Sequence, residues 1–200
     1  MKVGRFSTKF LYSIIGALVL ITAGSSHAFA QDDHSHQTTD HHEQTTAQKK
    51  QASALVKAVR QATAQFQHHS DPDHVLQFGC VSGGEFGAMG MHFVNGTLVS
   101  DGQVDAKHPE ILLYEPLPNG RLQLTGADYL VLKADWEADP KHKAPPELMG
   151  QLFHLFDSPN RFGLPAFYTL HVWAWKDNPN GTFTNWNPNV SCDAFAGQNP

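Results

Sequence analysis

Four polar side chains stand alone in otherwise apolar, strand-like stretches of this 200-residue chain, and their types are those of metal ligands. They are His92 in GAMGMHFVN, Glu115 in ILLYEP, His154 in QLFHLF and His171 in YTLHVW. Imidazole nitrogens and carboxylate oxygens suit Zn or Cu. Because a strand places every second side chain on one face, ligands from different strands can converge across a sheet. The pattern predicts a site for a divalent transition metal, Zn or Cu, built from these four residues.

The spacing of these residues does not by itself require a metal. The sequence has no HExxH motif and, in the part that would form the core, no His-x-His pair, so convergence depends on tertiary structure. The alternative is that each histidine donates a hydrogen bond to a backbone carbonyl inside the core. Our first hypothesis is a binding domain for a metal ion or a small ligand. A metal-dependent enzyme using the same cluster is the second, and a structural envelope protein is the third.

The stretch PAFYTLHVWAWK (165–176) carries a second candidate feature, an aromatic face. Strand alternation puts His171 on the same face as Thr169, Trp173 and Trp175, and directs the intervening residues to the core. Aromatic rings beside a polar group are typical of a small-molecule pocket, so Trp173 and Trp175 are predicted to stack on a ligand. The alternative is that these tryptophans close the edge of the sheet.

Several other chemistries are disfavoured by the sequence. The glycine-rich run GCVSGGEFGAMG lacks the GxxxxGK[ST] pattern of a phosphate-binding loop, so its glycines are predicted to serve tight turns or close backbone approach. Neither Ser82 nor Ser191 lies in the G-x-S-x-G elbow of a serine hydrolase. The chain has no basic cluster, which argues against nucleic acid as a partner.

The N-terminus has the pattern of a secretory signal peptide. Three basic residues precede an apolar run, and the small residues of AFA (28–30) predict cleavage before Gln31. Removal of residues 1–30 would leave 11 of the 14 Lys and Arg residues against 19 Asp and Glu, a net charge of −8. We therefore expect a periplasmic or secreted protein with no membrane insertion after cleavage.

Residues 31–46 form a histidine-rich segment that is predicted to be disordered, because it contains no large apolar residue. Its four histidines are interleaved with acidic residues: His34, His36, His41 and His42. Such a segment either wraps a metal ion or serves as a solvated linker, and the sequence leaves both interpretations open.

The only two cysteines of the chain, Cys80 and Cys192, are predicted to form a disulfide. Both lie beyond the expected cleavage site, and an exported protein matures in an oxidising compartment. Closing so long a loop could stabilise the fold by about 4–5 kcal/mol in the chain-entropy model. The sequence lacks the CxxC motif of a redox-active pair.

An N-terminal amphipathic helix is the first element that must position these residues. Apolar residues recur with helical spacing at Leu55, Val59, Ala62 and Phe66. Upstream, Thr45 followed three residues later by Gln48 resembles a capping box, which predicts where the helix begins.

A single α+β domain over residues 47–192 is predicted to contain this helix packed on an antiparallel sheet, with a short tail at 193–200. Alternating stretches indicate about five strands, and the sheet could curl into a partial barrel. The predicted strands are 89–95, 111–116, 121–134, 151–156 and 165–176.

A set of short motifs distributed over about residues 47–192 resembles a family of uncharacterised exported bacterial proteins. The motifs are GCVSG, GAMGMHFVN, ILLYEP, GADYLVL, GQLFHL, GLPAFYTLHVWAWKDNPNGTFTNWNP and VSC. The resemblance implies export, and it implies no particular activity.

Overall fold

The computed structural model describes residues 44–68 and 73–197 of the chain. The predicted signal peptide (1–30) and most of the histidine-rich segment (31–43) lie outside the described residues. Within the described ranges, no helix combines the length and the apolarity that a membrane span requires.

The helices and strands follow one another in a simple order. In chain order they are α1 (Thr46–Thr63), a 3-10 turn (Ala64–Gln67), β1 (Val75–Ser82), a 3-10 turn (Gly84–Phe86), β2 (Ala88–Val94), α2 (Gly96–Val99), β3 (Ile111–Pro116), β4 (Leu122–Leu132), α3 (Lys133–Ala138), β5 (Glu147–Leu148), β6 (Gln151–Leu152), β7 (His154–Phe156) and β8 (Phe167–Val172).

The predicted α+β class is confirmed: one N-terminal helix packs against a curled antiparallel sheet that forms a half-barrel. The sheet has six strands in the order β1-β2-β3-β4-β8-β7, one more than the five or so expected. The additional strand is β1, whose sequence VLQFGCVS is broken by a glycine and so lacks regular alternation. Strands β5 and β6 form a separate two-stranded ribbon.

The outer face of the sheet packs against α1. The helix buries Leu55 and Val59 completely against Tyr129, Leu170 and Val172, side chains that alternate along β4 and β8. Full burial of each aliphatic side chain is worth about 1.5–3 kcal/mol. The helix begins as predicted, with the reciprocal hydrogen bonds of a capping box.

The inner face carries the polar residues. Cross-strand pairing aligns Ile111 with Asp128 and Asp128 with His171, so these three side chains form one row across β3, β4 and β8. His92 on β2 pairs with Leu113, which lies two residues along β3 on the same face as Ile111. The inner face therefore brings an acid and two histidines into one apolar layer.

The predicted disulfide between Cys80 and Cys192 is present and spans 112 residues of sequence. It joins β1 to the C-terminal segment, which also pairs with the sheet through a single bridge between Ala88 and Asn187. Strand β1 and the end of the described domain are thereby held together.

Candidate metal centre

Three buried side chains, His92, Asp128 and His171, form a group that could hold a metal ion. One ligand atom from each of them lies within 4.8 Å of the other two. Their exposed fractions are 5%, 3% and 2%. Ligation at about 2.0–2.2 Å would draw these atoms closer together.

The curl of the sheet brings the two histidines together. His92 and His171 belong to β2 and β8, which are separated by β3 and β4. In a flat sheet, three strand spacings would place such residues about 14 Å apart. The ring centroids are instead 5.9 Å apart, edge to face, because inward-facing side chains of a half-barrel converge.

His92 is oriented as a neutral ligand. Its Nδ1 donates to the Gly90 carbonyl oxygen at 3.1 Å, so the proton lies on Nδ1 and the lone pair on Nε2 is free. Burial lowers the pKa of His92 to about 4, and His171 adds to the effect. A carbonyl that fixes the tautomer in this way is the usual outer partner of a metal-bound imidazole.

His171 is the least satisfied polar group of the site. Although buried, neither of its ring nitrogens has a hydrogen-bond partner among the described residues. Asp128 Oδ1 lies 3.4 Å from His171 Nδ1. Burial, with a further contribution from His154, lowers the pKa of His171 to about 3, so the ring is neutral at physiological pH. A buried polar group without a partner costs about 1–3 kcal/mol, and an ion would satisfy it.

Asp128 supplies the charge of the group. Its Oδ1 accepts a hydrogen bond from Thr169 Oγ1 at 2.5 Å, and the carboxylate also accepts one from the Leu170 backbone N–H. Burial raises the pKa of Asp128 to about 6, so the group is mainly ionised at neutral pH. With two neutral imidazoles beside it, the cluster carries one negative charge in an apolar layer, which favours a cation.

The other two predicted ligands lie elsewhere. Glu115 accepts hydrogen bonds from the Lys176 ammonium group and, at 3.0 Å, from the Ser191 backbone N–H. His154 is exposed on β7, where it pairs with Thr169 in the neighbouring strand. Neither residue belongs to the three-residue group, although His154 is close enough to affect the pKa values of Asp128 and His171.

Sequence reasoning missed Asp128. This residue stands in TGADYLVL, an apolar strand interrupted by one acid, which is the same signal that singled out Glu115 in ILLYEP. The two carboxylates could not be distinguished from the pattern alone. What separates them is the partner of each: Glu115 lies next to a lysine, whereas Asp128 lies between two histidines.

The two tryptophans predicted to stack on a ligand make contacts within the protein. Trp173 Nε1 donates to the Thr184 carbonyl oxygen at 2.6 Å. Trp175 Nε1 donates to Thr63 Oγ1 at 2.9 Å, and the Arg60 guanidinium lies 5.9 Å from the centre of its ring. The second tryptophan thus fastens the end of α1 to the sheet.

A small cavity of about 20 Å³ lies against the three ligands, which is room for one water-sized particle. Apart from Thr169, the other residues that line it are apolar, and four of them are phenylalanines: Phe78, Phe156, Phe162 and Phe167. The rings of Phe156 and Phe167 are stacked with centroids 5.2 Å apart, and Phe162 meets Phe78 edge to face at 5.5 Å. The polar cluster therefore lies at the bottom of an aromatic layer.

Comparison with known proteins adds no assignment. No protein-family model matches the sequence, and neither curated proteins nor solved structures gave a match. The function must be argued from the site.

Proposed function

We propose that this chain is an exported metal-binding protein that holds one divalent transition-metal ion between His92, Asp128 and His171. Two neutral imidazoles and one carboxylate form a ligand set suited to zinc, and also to Fe(II) or Cu(II). The signal-like N-terminus and the disulfide support export.

One observation carries the proposal: His171 is buried without a hydrogen-bond partner in a group that also contains an unneutralised acid. A histidine kept in the core for packing alone would be expected to donate to a carbonyl, as His92 does with Gly90. A cation between the three residues satisfies both the free imidazole and the carboxylate.

The experiment must separate this site from the histidine-rich segment. The background variant is the full chain with His34, His36, His41 and His42 replaced by alanine. It is titrated with zinc by calorimetry and with Co(II), whose visible spectrum reports its coordination. We expect one ion per chain, and a Co(II) spectrum typical of nitrogen and oxygen ligands.

Substitutions in the background variant assign the ligands. His92→Ala and Asp128→Asn should each lower the zinc affinity on the order of 100-fold or more, because each removes a group that binds the ion directly. The matched control is His108→Ala, since His108 is exposed and its Nδ1 pairs with Asp105. If the background variant binds no stoichiometric zinc, or if His108→Ala lowers affinity as much as His92→Ala, the proposal is wrong.

Catalysis at the same ion is the second candidate. Three protein ligands leave a coordination position open, as catalytic zinc sites do and closed structural sites do not. The small cavity that these three residues line would be the place for a further ligand of a bound ion. Metal-dependent hydrolysis of activated ester substrates, lost in His92→Ala and retained in His108→Ala, would establish an enzyme; zinc binding without turnover would leave a binding protein.

A further inference from the structure

A second, larger cavity adjoins the metal centre. It has a volume of about 280 Å³ and lies between the outer ends of β1 and β2, α2 and the segment before β8. Five apolar residues line this cavity and not the smaller one: Val75, Val94, Val99, Leu132 and Pro165. An apolar cavity of about 150 Å³ already accepts a benzene ring, so this space is sufficient for a small organic molecule.

The two cavities are neighbours that share part of their walls. Four residues line both of them: Phe78, Ile111, Leu130 and Leu164. Ile111 and Leu130 flank Asp128 on the inner face, through the pairing of Ile111 with Asp128 and the two-residue spacing along β4. A molecule in the larger cavity would therefore contact residues that also line the small cavity at the His/Asp group.

Phe78 occupies the junction through an unusual backbone conformation. In β1 the register with β2 shifts between Gln77 and Cys80, leaving Phe78 and Gly79 as extra residues in a bulge. Phe78 has a φ of 60°, a region that few residues other than glycine adopt. Bulges that turn a side chain toward a site, and backbone strain of this kind, are concentrated where ligands bind.

The chemistry of the walls defines the ligand. The larger cavity is apolar apart from Gln77, and the described residues that line it include no charged side chain. At its inner end, a divalent ion held by two neutral imidazoles and one carboxylate retains one positive charge. In an apolar setting such a charge favours an anionic donor in the open coordination position.

We propose that the protein binds a small monocarboxylate with an aromatic or alkyl body, its carboxylate on the metal ion and its body in the 280 Å³ cavity. This inference rests on the proposed metal site. Val75, which lines this cavity, is 54% exposed, so the cavity reaches the protein surface.

A chain-length series tests the inference without any change to the protein. The Co(II)-loaded background variant is titrated with acetate, butyrate, hexanoate and benzoate, and the visible spectrum is followed. The affinity should rise about fourfold for each buried methylene, and hexanol should bind far more weakly than hexanoate. Equal affinity for acetate and hexanoate, or no spectral change with any of them, would overturn the inference.

A cavity-filling variant gives an independent measurement. Val99→Trp places a large ring in the larger cavity and should lower the affinity for hexanoate and benzoate at least about tenfold, while zinc affinity stays unchanged. The control is Leu152→Trp, because Leu152 is exposed on the separate β5–β6 ribbon. Unchanged carboxylate binding in a folded Val99→Trp protein would contradict the assigned cavity.

The two proposals fail in different ways. If the background variant binds no zinc, both the metal site and the carboxylate site as described here are wrong. If it binds one zinc ion and the carboxylates have no effect, only the ligand assignment is wrong.

Discussion

At the scale of single residues, the two histidines of the site differ in how their polar atoms are satisfied. His92 has one nitrogen bound to a carbonyl and one free lone pair, whereas His171 has neither nitrogen hydrogen-bonded to a described residue. The unpartnered imidazole of His171 therefore lowers the stability of the metal-free protein. Binding of an ion is expected to restore that stability. Sites that bind ligands commonly carry such a local cost in stability.

Replacing His171 by leucine should separate stability from binding. We expect His171→Leu to raise the free energy of unfolding of the metal-free protein by about 1–2 kcal/mol, because an unsatisfied buried group is removed. Zinc binding should be lost in the same variant. Urea denaturation in the presence of a chelator measures the first effect, and calorimetry the second.

His74→Leu is the matched control, since His74 is also buried but its Nε2 bonds to the Pro109 carbonyl oxygen at 3.2 Å. This change should lower stability and leave zinc binding intact. Loss of stability in His171→Leu comparable to that in His74→Leu would show that the imidazole is satisfied in some other way.

Glu115 and His154 were predicted as ligands from the sequence but lie outside the group of His92, Asp128 and His171. Substitution of either residue is therefore a further test. Glu115→Gln should leave zinc affinity within about threefold of the background variant, while lowering stability by about 1–3 kcal/mol because the half-buried Lys176 loses its partner. His154→Ala should also retain zinc binding. A large loss of affinity in either variant, measured by calorimetry, would add that residue to the ligand set.

Two of the three candidate ligands could be predicted from sequence alone. His92 and His171 were recognisable as polar residues in apolar strands, and the structure places them together. The choice between Glu115 and Asp128 depended on which carboxylate has a cationic neighbour. That neighbour, Lys176, is 61 residues away from Glu115 in sequence, so no local pattern reports it.

At the scale of elements, the antiparallel strand β4 continues beyond the first residue of β3. The backbone of β4 needs another hydrogen-bond partner there. Glu110, just before β3, supplies it: its carboxyl oxygen accepts a hydrogen bond from the Leu130 backbone N–H at 3.1 Å. Burial raises the pKa of Glu110 to about 8 from an ordinary value of 4.5. The side chain is therefore mainly protonated at neutral pH when the protein is folded.

This raised pKa makes stability depend on pH. Between about pH 4.5 and 8 the unfolded chain loses the Glu110 proton and the folded chain keeps it, so this group's contribution to stability falls as pH rises. Glu110→Gln removes that dependence and retains an acceptor for Leu130. We expect the variant to match the wild type near pH 4.5 and to exceed it by a few kcal/mol at pH 9.

Urea denaturation of both proteins at the two pH values measures this difference, and comparison at the same pH cancels the titration of all other groups. Asp135→Asn serves as an exposed control that should show no such divergence. Equal stability of wild type and Glu110→Gln at pH 9 would mean that Glu110 ionises in the folded protein at little cost.

Regular alternation determined which elements were predictable. The helix was expected from its apolar spacing and cap, and β2, β3, β4 and β8 from their strand-like patterns. Strand β1 was missed because its bulge at Phe78 and Gly79 interrupts the two-residue period. Phe78 of the same bulge lines the cavity that we propose as a ligand site.

At the scale of the whole molecule, the curl of the sheet brings together the three residues of the candidate site. The curl converts distant strands into neighbours, a property of six strands acting jointly that no local sequence window reports. The disulfide holds β1, with its bulge, to the C-terminal segment. The convergence of the two histidines is a tertiary feature, so no local part of the sequence could establish it.

Removal of the disulfide should weaken the whole domain. The double variant Cys80→Ala, Cys192→Ala should lower the free energy of unfolding by about 2–5 kcal/mol. Without the cross-link between residues 112 positions apart, the unfolded chain regains conformational entropy. Chemical denaturation without reductant measures the loss. A variant as stable as the wild type would show that noncovalent packing alone joins the two ends.

The central claim concerns where an ion binds, and anomalous diffraction from crystals of the zinc-loaded background variant tests it most directly. The account predicts one anomalous peak at the zinc edge, about 2.0–2.2 Å from His92 Nε2, an Asp128 carboxylate oxygen and a His171 ring nitrogen. The absence of a peak between these three residues, or zinc bound only at exposed histidines such as His154, would contradict it.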